Sequence, residues 1–364
     1  MKILYLANIR LPTEKAHGVQ IMKTCEAFRD AGAEVELVVT NRATPIQDEP
    51  FAYYGVRNTF PISRVSVPDT VSWGRIGFLT EAFFFALRAL RYPRGADILY
   101  SRDELALWIA SSMHSTPIVW ESHTGAWNFF ARGIARRAKA LVVISEGLRD
   151  FYIERGVPRG RLLVAHDGVD LETFAHTESN EATRRRLNLP LDKKIALYIG
   201  RLDGWKGIET LCEAAHLLRE DTVVAVIGGE PMQVEDLSAK YPEVRFLGYR
   251  PYRELADNQA AADVLVLPNT GRDKVSVRFT SPLKLFTYLA SGKPIVASDL
   301  PSIREVLDES MAYFFTPDDP ASLARGIVLA LSDPQAQEKA RIARSEAKRY
   351  TWRARAERIL RAVV

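Results

Sequence analysis

Two segments of the chain carry residue types suited to gripping a phosphorylated ligand. The first, Gly200-Arg201-Leu202-Asp203-Gly204-Trp205-Lys206-Gly207, sets two cations among three glycines. Arginine can hold a diphosphate through paired N–H groups, lysine adds a compact point charge, and glycine lets the backbone approach closely. The second is Thr280-Ser281-Pro282-Leu283-Lys284. Ser281 suits a helix N-cap and Pro282 the first helical position; Leu283, Phe286, Tyr288, Leu289 and Ala290 supply the apolar spacing, and Gly292 with Pro294 ends the helix. The unpaired amides and dipole of a helix start favour an anion. Taken singly, the segments also fit a solvated turn and an ordinary capped helix. Both are expected at the same edge of one sheet, where together they would neutralise a diphosphate leaving group.

The elements that must position them alternate in type. Residues 2–7, 34–39, 97–100, 117–121, 140–144 and 161–165 read as strands, with amphipathic helices between. A second series follows at 194–200, 222–229, 244–248, 262–268 and 293–298. Near-continuous Val, Ile and Leu runs separated by helices indicate parallel sheets covered on both faces. The fold class is α/β, with two doubly wound parallel-sheet domains facing a central cleft, the natural ligand site. The polar stretch 175–192 is read as the linker, giving domains 1–175 and 176–345. Trp352, Ala356, Ile359, Leu360 and Val363 recur at helical spacing in the tail, and residues 346–364 are expected to form a C-terminal helix crossing back to the first domain.

Composition narrows the class of protein. Lys plus Arg is 49 and Asp plus Glu 45, so the net charge of +4 does not mark a nucleic-acid binder. Two distant cysteines, Cys25 and Cys212, exclude a disulfide scaffold and suggest a reducing, cytoplasmic setting. The six histidines are scattered, and no metal site is expected. The opening MKILYLANIRLPTEK reads as a buried strand rather than a signal segment. The chain lacks G-x-x-x-x-G-K-[ST], a strand followed by G-x-G-x-x-G, G-x-S-x-G and H-E-x-x-H. Two stretches mix bases with apolar residues: 75–94 joins Phe83, Phe84 and Phe85 to Arg75, Arg88, Arg91 and Arg94, while 131–139 holds Arg132, Arg136, Arg137 and Lys139 with no acid. Such helices can lie on anionic lipid at the inner face of a membrane; the alternative is a buried Phe face with solvated arginines.

The order of several short motifs resembles the retaining glycosyltransferases of family 4, with their two-Rossmann glycosyltransferase-B architecture. The marks are His17-Gly18-Val19, Glu121-Ser122-His123, Val143-Ile144-Ser145, His166-Asp167-Gly168-Val169-Asp170, Gly200-Arg201 with Lys206, Phe246-Leu247-Gly248, Ala262-Asp263-Val264, Ser281-Pro282-Leu283-Lys284 through Ala290-Ser291-Gly292-Lys293-Pro294, and Tyr350-Thr351-Trp352. The resemblance implies a donor domain in which Arg201 and Lys206 hold the diphosphate and the amides near Thr280, Ser281 and Leu283 hold the distal phosphate. Tyr249 and Arg250 would border the base. In the acceptor domain Gly18 would let the first loop approach the sugar and phosphate, and His123 would contact the transferred sugar.

The implied reaction moves a hexosyl unit from a UDP- or GDP-sugar to an acceptor hydroxyl, with retention and without a metal or separate cofactor. The partners are thus a nucleotide-sugar donor and a glycan, lipid-linked or small-molecule acceptor. Alternatives are a sugar-nucleotide epimerase of the same architecture and a catalytically weakened nucleotide-sugar-binding protein. One departure stands out. The family's two glutamates, eight positions apart, fall at Phe279 and Thr287 here. The second normally binds the ribose hydroxyls, and a threonine makes weaker contacts than a carboxylate.

Overall fold

Runs of buried Val, Ile and Leu build two separate all-parallel sheets in the computed structural model, which describes residues 1–364 except Arg94, His176, Asp203 and Val364, and only the backbone of Ser72 and Arg75. One unit comprises Met1–His166 with Trp352–Val364, the other Asp167–Thr351.

The first unit holds β1 (Lys2–Ala7), β2 (Glu34–Thr40), β3 (Ile62–Val65), β4 (Ile98–Ser101), β5 (Ile118–Ser122), β6 (Ala140–Val143) and β7 (Leu162–Val164), in the order β3-β2-β1-β4-β5-β6-β7. Its helices are α1 (Ala16–Asp30), α2 (Pro50–Tyr54), α3 (Gly74–Ala89), α4 (Glu104–Met113), α5 (Phe129–Arg137) and α6 (Glu146–Ile153). Asn128 and Ser145 start α5 and α6 by accepting from the amides of Ala131 and Leu148. From β1 the chain winds one way to β3 and then, through α3, the other way from β4. Right-handed crossovers therefore cover both faces, and the order reverses between β1 and β4, opening a crevice at their carboxyl ends. The C-terminal helix (Trp352–Val363) packs against α1, while α3, α4 and α5 lie side by side. Of the three phenylalanines 83–85 in α3, only Phe85 is buried; Phe83 and Phe84 are 47% and 37% exposed, so a buried Phe face accounts for one of the three. Arg94 and the Arg75 side chain lie outside the described residues. No described helix is long and apolar enough to cross a membrane.

The second unit holds β8 (Lys194–Ile199), β9 (Thr222–Ile227), β10 (Arg245–Phe246), β11 (Val264–Leu267), β12 (Ile295–Ser298) and β13 (Tyr313–Phe315), ordered β10-β9-β8-β11-β12-β13. Its helices are α7 (Asn180–Arg186), α8 (Ile208–Ala215), α9 (Pro231–Lys240), α10 (Leu255–Ala260), α11 (Leu283–Ser291), α12 (Pro301–Arg304), α13 (Pro320–Ser332) and α14 (Ala336–Glu346). The reversal here falls between β8 and β11. Segment 175–192 contains α7, capped by Ser179 and packed on α10, so the stretch expected as a linker is part of this unit; His176, at the expected domain boundary, lies outside the described residues. The buried Arg184 of α7 donates to Asp263 at 2.6 Å, and Asp263 also accepts from the Ile195 amide, fastening β11 to β8. The Ala-Asp-Val motif thus has a structural task. Strands β3 and β13 were not anticipated. Both are sheet edges; β3 interrupts its apolar run with Ser63 and Arg64, and β13 has three residues.

The loop after β8 is tightly seated. Gly207 has φ +71°, and a Cβ there would stand 1.6 Å from the Pro268 carbonyl oxygen, whereas one on Gly204 meets nothing within 4 Å. Gly207→Ala should cost at least ~2 kcal/mol from left-handed strain and displaced backbone, read as a lowered Tm, while Gly204→Ala leaves Tm nearly unchanged. Equal Tm values for the two variants would contradict this seating.

Candidate functional site

In the second unit the two phosphate-suited segments meet at the β8/β11 reversal. Residues 200–207 leave the carboxyl end of β8, and residues 268–282 leave that of β11. Helix α11 holds them together. Its Tyr288 hydroxyl accepts from the Ile199 amide at 2.9 Å, and its Lys284 ammonium donates to the Tyr198 hydroxyl at 2.7 Å. That hydroxyl donates in turn to the Arg201 carbonyl at 2.6 Å. A Cβ on Gly200 would stand 2.7 Å from the Lys284 nitrogen, so a side chain there would push the ammonium aside. Lys206 lies 3.2 Å from the Trp205 ring centroid, a cation–π contact. Asp203, within the same loop, lies outside the described residues.

The start of α11 differs in detail from expectation. Pro282 is the N-cap and Leu283 the first helical residue, while the Ser281 hydroxyl accepts from the Asp167 amide at 3.2 Å. Thr280 and Ser281 are buried and Leu283 half-buried. Preceding them, Val275–Phe279 forms a wide π-helical turn, a feature frequent at functional sites. Thr287 is buried: its hydroxyl donates to the Lys284 carbonyl and accepts from Gln259, each at 3.0 Å. It is held inside the unit, with no exposed surface for a ribose. Tyr249 and Arg250 follow β10 and are exposed. A cavity of about 360 Å³ lies beside the Gly204–Gly207 turn, bordered by Trp205, Thr270, Arg272 and Asp318; Arg201, Lys206 and Ser281 do not line it.

In the first unit a cavity of about 480 Å³ occupies the β1/β4 reversal, lined by Asn8 and Arg10 after β1, Arg102 and Asp103 after β4, and His123 after β5. His17, Lys15 and Arg42 also line it, as do Glu14, Glu104 and Glu121, so the wall carries charge of both signs. Gly18 is not among the lining residues. It sits in the first turn of α1, where a Cβ would stand 2.2 Å from the Tyr54 hydroxyl, so its absence of a side chain serves close packing beside His17.

His123 is set by a buried network. The fully buried Glu121 carboxylate accepts from Gln20 Nε2 and His123 Nε2 at 2.6 Å, from Arg355 at 2.7 Å, and from the Tyr100 hydroxyl. Glu121 burial opposes ionisation, but Arg355, His123 and Arg102 hold its carboxyl well below the usual range. Burial, then the Arg102 charge, pushes the His123 imidazole down to about 4 against the pull of Glu121. The ring is therefore neutral near pH 7. Since an ionised carboxylate only accepts, the proton sits on Nε2 and Nδ1 remains an acceptor. Arg355 was missed from the sequence. Its signal was an arginine on the apolar stripe of the C-terminal helix, one turn from both Trp352 and Ile359. Arg355→Met should destabilise the protein by about 3–5 kcal/mol because it strands a buried charge, and Arg355→Lys by less. An unchanged Tm in Arg355→Met would mean Glu121 does not need this partner.

Among the described residues no cluster of three or more His, Cys, Asp or Glu is arranged to hold a metal ion. Comparison with known proteins agrees with the two-sheet arrangement. The model for Glycosyltransferase Family 4 matches residues 17–173, and that for Glycosyl transferases group 1 matches residues 193–333. The D-inositol 3-phosphate glycosyltransferase of Corynebacterium urealyticum is 30% identical over 99% of this chain and 94% of its own. The chain spans 59%, 40% and 49% of the length of three other curated relatives, also named D-inositol 3-phosphate glycosyltransferases. Among solved structures, the Anabaena protein HepE in complex with UDP-glucose superposes with a TM-score of 0.78 at 19% identity, covering 100% of this chain and 99% of that one. With a family model on each half and a relative matched along nearly its whole length, the chain belongs to glycosyltransferase family 4.

Proposed function

We propose that the protein transfers a hexosyl unit from a UDP- or GDP-sugar to an acceptor hydroxyl, retaining the anomeric configuration, in the synthesis of a polysaccharide, cell-envelope component or other glycoconjugate. The supporting observation is the tie between the Gly200–Gly207 loop and the start of α11, made through Lys284, Tyr198 and the Arg201 carbonyl. The second unit is the donor domain in this reading, and the first the acceptor domain. Arg201 and Lys206, with the amides of Thr280, Ser281 and Leu283, take the diphosphate; Tyr249 and Arg250 border the base. Thr287, being buried, is left out of the donor contacts. Free, buried Cys25 and Cys212 suit a reducing cytoplasm.

As the bond from the anomeric carbon to phosphate lengthens, the sugar gains oxocarbenium character and negative charge grows on the leaving diphosphate. Fixed cations and helix-start amides stabilise that charge more in the transition state than in the ground state. A leaving phosphate oxygen takes the acceptor proton on the same face, so neither a carboxylate nucleophile nor a metal is required. His123, neutral with Nδ1 available as acceptor, orients a sugar hydroxyl; Gly18 acts at one remove, by seating the turn that carries His17. The acceptor is a glycan, a lipid-linked sugar or a small hydroxylated molecule.

Lys206→Ala tests the reading. Turnover of a nucleotide sugar should fall about 10²-fold or more, with Tm unchanged and with no dependence on added chelator in the parent protein. Near-normal turnover would remove Lys206 from the site.

A further inference from the structure

Helix α3 is apolar on both faces, and a helix of that kind is ordinarily buried on both. Here one face is covered. Phe85, Ala86 and Ala89 are buried, and the helix packs against α4. On the outer stripe Ile76 is 76% exposed, Leu79 57% and Leu87 41%, with Phe83 and Phe84 beside them. Trp73, 73% exposed, extends the patch past the helix start. Contiguous exposed side chains of this size mark an interaction surface rather than scattered surface hydrophobics.

The charges say what kind of partner fits. The single acid of α3, Glu81, is buried and paired with Arg42 at 3.1 Å, which removes negative charge from the outer face. Arg88 and Arg91 are exposed at the C-terminal end, and the Arg88 guanidinium lies 5.8 Å from the Phe84 ring centroid. Two helices across, on the same side of the sheet, α5 has no acid and exposes Arg132, Arg136 and Arg137, with Phe129 66% exposed at its start. Large apolar side chains flanked by arginines match an interface whose interior is hydrocarbon and whose surface is anionic.

We infer that the α3 face docks the first unit on an anionic lipid bilayer, with Ile76, Leu79, Phe83 and Leu87 entering the headgroup–acyl boundary and the arginines of α3 and α5 meeting lipid phosphates. The cavity that holds His123 adjoins this face, since Phe78 of α3 is one of its lining residues. Docking therefore sets that cavity at the lipid surface. The inference goes beyond sugar transfer and is read without it.

The test is flotation of the full chain with vesicles of phosphatidylcholine alone or mixed with phosphatidylglycerol. The protein floats with the mixed vesicles, not with phosphatidylcholine alone, and high salt weakens the binding. Leu79→Ser/Phe83→Ser, at exposed positions, keeps the parent Tm and lowers vesicle binding about tenfold or more; Arg132→Glu/Arg136→Glu lowers it too. No flotation with anionic vesicles overturns the inference, as does unchanged binding in Leu79→Ser/Phe83→Ser. So does a parent dimer that this variant converts to monomer, because a second copy of the chain would then be the occupant.

Discussion

The tie on which the second unit's candidate site depends is the short chain from Lys284 through the Tyr198 hydroxyl to the Arg201 carbonyl. A parallel sheet whose strand order reverses leaves a gap at its carboxyl edge, and the loops bordering that gap have no ladder to hold them. In this unit the gap falls between β8 and β11. Helix α11 closes the problem from one side: Tyr288 anchors it to the last turn of backbone in β8, and Lys284 reaches the loop beyond. Glycines serve the close approaches. Gly200 makes room for the Lys284 ammonium, Gly228 for the Gly200 carbonyl, and Gly207 for the Pro268 carbonyl. A cationic loop and a helix start become neighbours because backbone and side chain are fixed together, not because either segment is individually unusual.

The first unit solves a different problem with a buried ion. Four donors converge on Glu121, from α1, β4, the segment after β5 and the C-terminal helix. A carboxylate removed from water requires such compensation. Its consequence is positional: the same oxygen that accepts from Arg355 accepts from His123, which fixes the imidazole tautomer. The last helix of the chain thereby contributes to the order of a residue lining the cavity, some 230 positions earlier. The His166 carbonyl accepts from Arg355 as well, at 3.0 Å, so the arginine also fastens the end of the unit's main segment.

Much of this was legible in the amino-acid sequence, for identifiable reasons. Buried parallel strands are continuous apolar runs, so β1, β2, β8 and β9 stand out; edge strands β3 and β13 are short or interrupted and do not. The loop glycines and cations could be picked out from residue type, as could the start of α11, although the Ser281 hydroxyl turns to the Asp167 amide instead of capping the helix. Roles that depend on long-range pairing were not visible. Nothing local to Arg355 points to Glu121, 234 residues away. Thr287 stands where the family carries a ribose-binding glutamate, and only the fold reveals that its hydroxyl is engaged by Gln259 and Lys284. Gly18 reads as a loop residue and proves to be a packing position against Tyr54.

The claim that loop and helix start converge on one pyrophosphate is tested most directly by calorimetry with a nucleoside diphosphate and the matching monophosphate. The account predicts that UDP or GDP binds at least about tenfold more tightly than its monophosphate, and that Arg201→Ala/Lys206→Ala removes the difference. Equal affinity of the two nucleotides for the parent protein would contradict it.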